Sequence, residues 1–336
     1  MPRTQRLQPT PGQPTTDYER IASELIRALR GKRSCAELSR RAGYRSNIVH
    51  RWEAQQCWPT AAGFLALHAK LRPAAKPWIA GFLRQAPDWS AKLDASSPEA
   101  VSAFLRHVRG KTPIVRIAAL SHCNRYSVSR WLEGSTEPKL PDFLRLVDAS
   151  SRRLLDLVAA LEDPARLPSL RDAWQQQQLA REAAYDLPWS HAVLRALELN
   201  DSPRGLSAQQ AFIARKLGIG SDEVREALRV LEAMEQVKKS RGRFVPRAVT
   251  AIDTGSDPIR AKELKVAWTQ TALERLQRGV AGHFGWSVFA VSKADLTRLT
   301  NLHLQYVRAM REVIASSTPN ECVGLYCAQL IDLGAE

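Results

Sequence analysis

Apolar residues return with helical spacing along most of this chain. In residues 18–30, Ile21, Leu25, Ala28 and Leu29 form one stripe, and Gly31 ends it. Ser34 stands three residues before Glu37, the capping-box spacing, and predicts a second helix over about 34–41 with Leu38 inward. Gly43 occupies a sharp turn that needs a permissive backbone. Ser46 is the expected cap of a third helix whose inward residues are Val49 and Trp52. Pro59 stops that segment. Phe64, Leu65 and Leu67 carry a fourth helix over 60–71, a fifth falls within 74–86, and Pro87–Ser97 reads as a linker. Helices follow at 97–109, 113–120, 124–133 and 140–161, then a polar helical connector at 164–181.

The pattern then changes. Helices are predicted over 184–199, over 206–217 from a Ser207 cap, and over 222–235 from a Ser221 cap, with Val224, Leu228 and Leu231 inward. Residues 237–245 read as a hairpin with Arg241-Gly242 at its tip. Long helices at 258–278 and 293–315, the second capped by Ser292, alternate with two apolar segments, 284–291 and 322–333, that read as strands.

A shift of 79 residues aligns 23–67 with 102–146 without a gap, and twelve of the forty-five positions are identical. They include Ser23/Ser102, Arg27/Arg106, Arg30/Arg109, Gly31/Gly110, Val49/Val128, Arg51/Arg130, Trp52/Trp131, Pro59/Pro138 and Phe64/Phe143. Clustered identities without an insertion mark an internal duplication. The outward residues of the third helix are Asn47, His50 and Arg51, flanked by Arg45 and Ser46. In the second copy the corresponding face holds Arg125, Tyr126, Ser129 and Arg130. Such side chains reach base edges and phosphates. For Arg51 and Arg130 the alternative is that they brace the fold.

Charge sharpens this picture. The net charge is +15. Residues 1–165 hold 26 Lys+Arg against 15 Asp+Glu, so most of the excess sits with the duplicated segment, where it draws polyanions. Lys238, Lys239, Arg241 and Arg243 on the hairpin form a second cationic site suited to phosphates; the alternative is a solvated hairpin in a domain that bridges subunits. Residues 1–16 are rich in Pro, Thr and Gln, and Arg3 and Arg6 there are read as part of a disordered tail rather than a groove-binding arm.

Gly43, Ser46, Arg51-Trp52-Glu53 and Pro59 stand at the spacing of the phage-repressor-like Xre/Cro helix-turn-helix family, which the first copy resembles over about 50 residues. The second copy resembles it through Arg130-Trp131, Gly134 and Pro138. It has Leu132 for the acid and lacks the turn glycine, while the first has Gln55 where the family has glycine. The resemblance implies that Ser46, Asn47, His50 and Arg51 lie in or beside a major groove. The stretches 184–199 and 213–237 and the closing YCAQLIDL resemble a bacterial regulator family in which a winged helix leads into a strand–helix–strand domain of unassigned function. That family carries one Cro-like domain, whereas this chain has two.

Catalytic chemistry is not legible. There is no GxxxxGK[ST], GxSxG or HExxH, and Gly279, Gly282 and Gly285 precede a strand rather than opening a helix after one. Five cysteines show no CxxC spacing, and Cys322 and Cys327 read as buried thiols, not as metal ligands with His303. No apolar run reaches a membrane span and no secretory signal is visible, which points to a cytoplasmic, nucleoid-associated protein.

The expected fold is mainly α: a tail (1–16), two Cro-like domains (17–86 and 97–163), a winged helix (184–247) and an α+β unit (256–336). The expected function is a non-enzymatic, sequence-specific regulator of transcription, a repressor in preference to an activator because no activation surface is legible. Its partner is double-stranded DNA, it needs no cofactor or metal, and a ligand or protein signal is left open. A homodimer through 184–336 is expected because two lone strands are marginal in water. The alternative from another class is an assembly protein using the same helices for protein contacts.

Overall fold

The computed structural model describes residues 16–74, 77–83, 87–247, 254–255 and 257–334. The tail proposed for 1–16 therefore lies almost wholly outside the described residues. The chain is mainly helical and forms two compact units, residues 1–171 and 172–336.

The first unit opens with α1 (Tyr18–Arg30), α2 (Cys35–Arg41), α3 (Ile48–Glu53), α4 (Ala61–Leu71) and α5 (Trp78–Leu83). The second copy follows as α6 (Pro98–Arg109), α7 (Ile114–Ser121), α8 (Arg125–Glu133), α9 (Leu140–Ser151) and α10 (Leu154–Leu161). Several of the expected boundaries are visible as chemistry. The Ser34 hydroxyl accepts from the Glu37 amide at 3.1 Å, and Gly31 closes α1 with φ 60°. Gly43 takes φ 86° in the turn.

Up to residue 181 two expectations are corrected and two are refined. Ser46 does not cap α3; Asn47 holds the cap position and its side chain makes no capping bond. The single helix expected over 140–161 is two, because Arg152 turns left-handed at φ 56° and its amide closes α9 on the Asp148 carbonyl. The apolar rhythm runs on into α10, which hid the break. Residues 87–97 are no loose linker: they contain a short 3-10 turn, Asp88–Ala91, and the Trp78 indole donates to the Ala95 carbonyl at 2.9 Å. The expected helical connector over 164–181 is helical from Arg171 on, though not polar throughout. A 3-10 turn spans Pro164–Arg166, and in the next helix, α11 (Arg171–Asp186), Gln177, Ala180 and Arg181 are buried.

The two copies share one core. Trp78 of α5 packs on Phe104 and Phe143 of the second copy, with ring centroids 4.5 and 6.0 Å away, and Phe82 packs on Phe104 at 5.4 Å. Burying a ring of this kind is worth about 1.5–3 kcal/mol. The contacts are reciprocal. The Ala61 amide donates to the Pro138 carbonyl at 2.9 Å, and the Leu140 amide to the Pro59 carbonyl at 3.0 Å. Thr60 and Lys139, equivalent residues, form an antiparallel bridge. Helix α1 packs on α9, α6 packs on α4, and the equivalent helices α5 and α10 pack on each other.

The second unit continues with α12 (Pro188–Leu197), α13 (Leu206–Leu217) and α14 (Ser221–Ala233). The hairpin is β1 (Val237–Ser240) paired antiparallel with β2 (Arg243–Pro246). Its two-residue turn, Arg241-Gly242, has φ 50° and 74°, the positive values that a tight hairpin requires. Val193, Leu197, Phe212, Ile213, Val224, Leu228, Leu231 and Phe244 form the core beneath it. The buried Gln209 amide donates to the Phe244 carbonyl and accepts from the Phe244 amide, so a side chain completes the inner edge of β2. Gly205 and Gly220, not Ser207 and Ser221, hold the cap positions of α13 and α14.

Beyond the hairpin lie α15 (Pro258–Gln277) and α16 (Lys293–Ser316), the latter capped by Ser292 as expected. The α+β expectation fails here. Residues 284–291 and 322–333 carry no strand ladder, and Trp286 is 92% exposed. A strand exists only where another strand accepts its amides and carbonyls, and these segments do not pair with each other. Cys322 is exposed rather than buried, and only Cys327 is sheltered, its thiol 3.6 Å from the Trp268 carbonyl.

Candidate nucleic-acid interface

In the first copy Val49 and Trp52, fully inward, fasten α3 to the unit, and Tyr44 meets the Trp52 ring edge-on at 5.6 Å. Ser39 ties α2 to α3: its hydroxyl donates to the Cys35 carbonyl at 2.7 Å and accepts from the Val49 amide at 3.1 Å. Glu53 anchors the far end. Arg30 reaches it with Nε at 2.5 Å and Nη2 at 3.2 Å, and Arg27 with Nε at 3.5 Å. This clamp holds the Arg30 guanidinium above its ordinary range, chiefly through the hydrogen bond to Glu53.

What these anchors leave outside is the face expected from the pattern. Arg45, Ser46, Asn47, His50 and Arg51 are all exposed. Asn47 alone has a polar neighbour, the Ser39 hydroxyl at 3.5 Å. The Arg51 guanidinium has no partner among the described residues, so the bracing alternative gains no support from its contacts.

The second copy builds the same face with different fastenings. Val128 and Leu132 are buried, and the Asn124 side chain caps α8 by accepting from the Tyr126 amide at 2.9 Å. Leu132 offers no carboxylate, and Arg106, the counterpart of Arg27, instead donates to the Leu132 carbonyl at 2.6 Å. Arg125 and Arg130 are exposed and Tyr126 is 78% exposed, while Ser129 is engaged with Glu133 at 2.6 Å. Like Arg51, Arg130 has no side-chain partner among the described residues. Sequence reasoning missed the anchors Ser39, Asn124, Arg27 and Arg30; the identities Arg27/Arg106 and Arg30/Arg109 were the available signal.

The hairpin cations are less uniform than their spacing suggests. Lys239 is paired with Glu232 at 2.8 Å and lies over the Phe244 ring at 5.3 Å. Lys238 and Arg241 are exposed and Arg243 is half-buried. These residues belong to the second unit, and the two helix faces belong to the first. Among the described residues no group of His, Cys, Asp and Glu is placed to hold a metal, and no helix is long and apolar enough to cross a membrane.

The second unit contains an open cleft of about 650 Å³, between Trp189, the Gly218–Gly220 turn and the Trp268–Arg275 side of α15. Arg275 fills part of it by donating to the Leu217 carbonyl at 2.5 Å. In α12, His191 is pushed down to about 4 by burial first and by Arg195 second.

Residues 172–329 match a family described as a domain of unknown function, DUF4423. The second unit is thus similar to a domain whose role is unassigned, as the resemblance over 184–333 implied. No curated protein and no solved structure matches the chain.

Proposed function

We propose that this protein is a sequence-specific regulator of transcription that binds double-stranded DNA in the cytoplasm. Its tandem copies are Cro-like helix-turn-helix domains, with α3 and α8 as the helices that enter the major groove. The observation that carries the reading is Arg51 and Arg130. They are equivalent across the duplication, exposed, and without a side-chain partner among the described residues, on helices whose inner faces are fully fastened. A structural arginine finds a carboxylate or a carbonyl, as Arg30 and Arg106 do. An exposed one beside Asn47, His50 or Tyr126 is equipped for phosphates and base edges.

Helices α12–α14 with the hairpin form the winged helix of this reading, adding Lys238, Arg241 and Arg243 to the backbone contacts. Repression by occlusion follows as the simplest mode of action. A homodimer through 184–336 would cover the exposed Trp286, Val288, Tyr306 and Ile331. The salt dependence of binding tests the DNA reading. Neutralising six to ten phosphates lowers affinity about 10³–10⁵-fold between about 50 and 200 mM salt. A chain that retains no selected duplex even at the lower salt is an assembly protein instead.

A further inference from the structure

We infer that a single chain is a complete two-headed reader: the two copies form a built-in dimer that spans both halves of one DNA site, and those halves differ in sequence. The inference rests on the DNA-binding reading above and concerns how the DNA is engaged. Its basis is the reciprocity of the contacts. The Ala61 amide bonds to Pro138 and its counterpart Leu140 bonds to Pro59. Thr60 pairs with its own counterpart Lys139, α5 packs on its counterpart α10, and the α1–α9 contact is answered by α6–α4. Contacts in which residue i meets j and the counterpart of j meets that of i define a two-fold axis.

That symmetry fixes where the reading helices lie. A half-turn rotation leaves height along its axis unchanged and reverses direction across it, so α3 and α8 lie level and are opposed as seen down the axis. B-DNA has the same local dyad, which is why repressor dimers bind two half-sites one helical turn apart. Chain length bounds the separation. From Glu53 to Thr60 and from Glu133 to Lys139 the chain can span at most about 25 and 21 Å at ~3.3–3.6 Å per residue. The bridged pair adds only about 5 Å. The helix ends are therefore within about 50 Å, which admits one turn of about 34–36 Å and leaves out two.

The dyad is filled from within. Pro59 and Pro138 are buried at it, and Phe143 is buried against Trp78 of the other copy, so a second chain cannot dock there in the same way. Meanwhile the faces have diverged. Arg51 and Arg130 are equivalent and identical, but Asn47 and His50 have no counterpart in type on α8, which offers Tyr126 and Ser129. Asparagine suits adenine, and arginine suits guanine or phosphate. The preferred site is therefore symmetric in spacing and asymmetric in base sequence.

The test uses the full chain and duplexes of about 30 base pairs selected from a random pool. The expected complex holds one chain per duplex, or two chains and two duplexes if the chain dimerises through 184–336, by sedimentation equilibrium. Inserting about 5 base pairs between the two footprinted halves rotates one by half a turn and lowers affinity about 100-fold. The double variant Asn47→Ala/His50→Ala relaxes preference in one half only, and Tyr126→Ala in the other. Two chains on one duplex, or an insertion without effect, overturns the two-headed reader while leaving DNA binding in place. Recovery of no duplex overturns both.

Discussion

The two copies hold the same backbone with different residues, and the exchange is reciprocal. The first keeps glycine in the helix turn, Gly43 at φ 86°, where the second has His122 at φ 53°. The second keeps glycine after α8, Gly134 at φ 82°, where the first has Gln55 at φ 61° after α3. Neither replacement changed the path, because packing on the shared core specifies these left-handed positions more strongly than the local residue does. Helices α3 and α8 are anchored differently too. The first copy uses an ion-paired clamp, Glu53 with Arg27 and Arg30; the second uses a buried leucine and a bond to its backbone carbonyl. Once two copies are fused and share a core, each can lose a residue that the other retains.

The largest expected difference lies in the paired tryptophans. Trp52 is 4% exposed and touches Tyr44, whereas Trp131 is only half-buried. Trp52→Ala should cost about 3–5 kcal/mol and Trp131→Ala about 1–2 kcal/mol, read from chemical denaturation of the full chain. Equal losses would mean that the two helices are seated alike after all.

A smaller effect separates clamp from leucine. Glu53→Ala strands a half-buried guanidinium and should cost about 2 kcal/mol. Adding Arg30→Ala should recover about 1 kcal/mol of coupling, since the two side chains bond directly. In the second copy Leu132→Ala and Arg106→Ala should simply add, because Arg106 binds a carbonyl that the leucine change leaves in place. Coupling of similar size in both cycles would erase the distinction.

The smallest changes concern the exchanged glycines. His122→Gly should stabilise by about 0.5–1 kcal/mol by relieving a left-handed residue. Gln55→Gly should gain less, since the Gln55 amide lies 3.4 Å from the Ser23 hydroxyl. In the other direction Gly134→Ala should cost more than Gly43→Ala. A methyl at 134 meets the Ser102 hydroxyl at 3.3 Å, while one at 43 meets nothing within 4 Å. Thermal unfolding of the four variants checks the order, and a neutral or destabilising His122→Gly would show that histidine is held there by more than backbone fit.

Much of the candidate site is legible in the chain's own pattern. The exposure of Asn47, His50, Arg51, Arg125, Tyr126 and Arg130 follows from the inward positions of Val49, Trp52 and Val128, because a helix that buries one stripe must present the other. The partners of those helices are not legible there. Nothing in local spacing tells Glu53 that Arg30 lies beside it, or commits Lys239 to Glu232. Ser129 is the exception: Glu133 stands four residues on in α8, so helical spacing alone brings the two together.

The sequence by itself determined most helix extents, the Ser34 and Ser292 caps, the hairpin tip at Arg241-Gly242 and the duplication. These depend on residues three or four apart, or on direct comparison of two stretches. Tertiary structure decided the rest. It broke 140–161 at Arg152 so that α10 could pack against α5, and it gave β2 the Gln209 side chain as an edge partner. It left 284–291 and 322–333 without ladders, because a strand is a relation between two segments and not a property of one. It also set the two-fold axis between the copies: a repeat in sequence states that two domains are alike, and only their contacts across Pro59 and Pro138 state how they face each other.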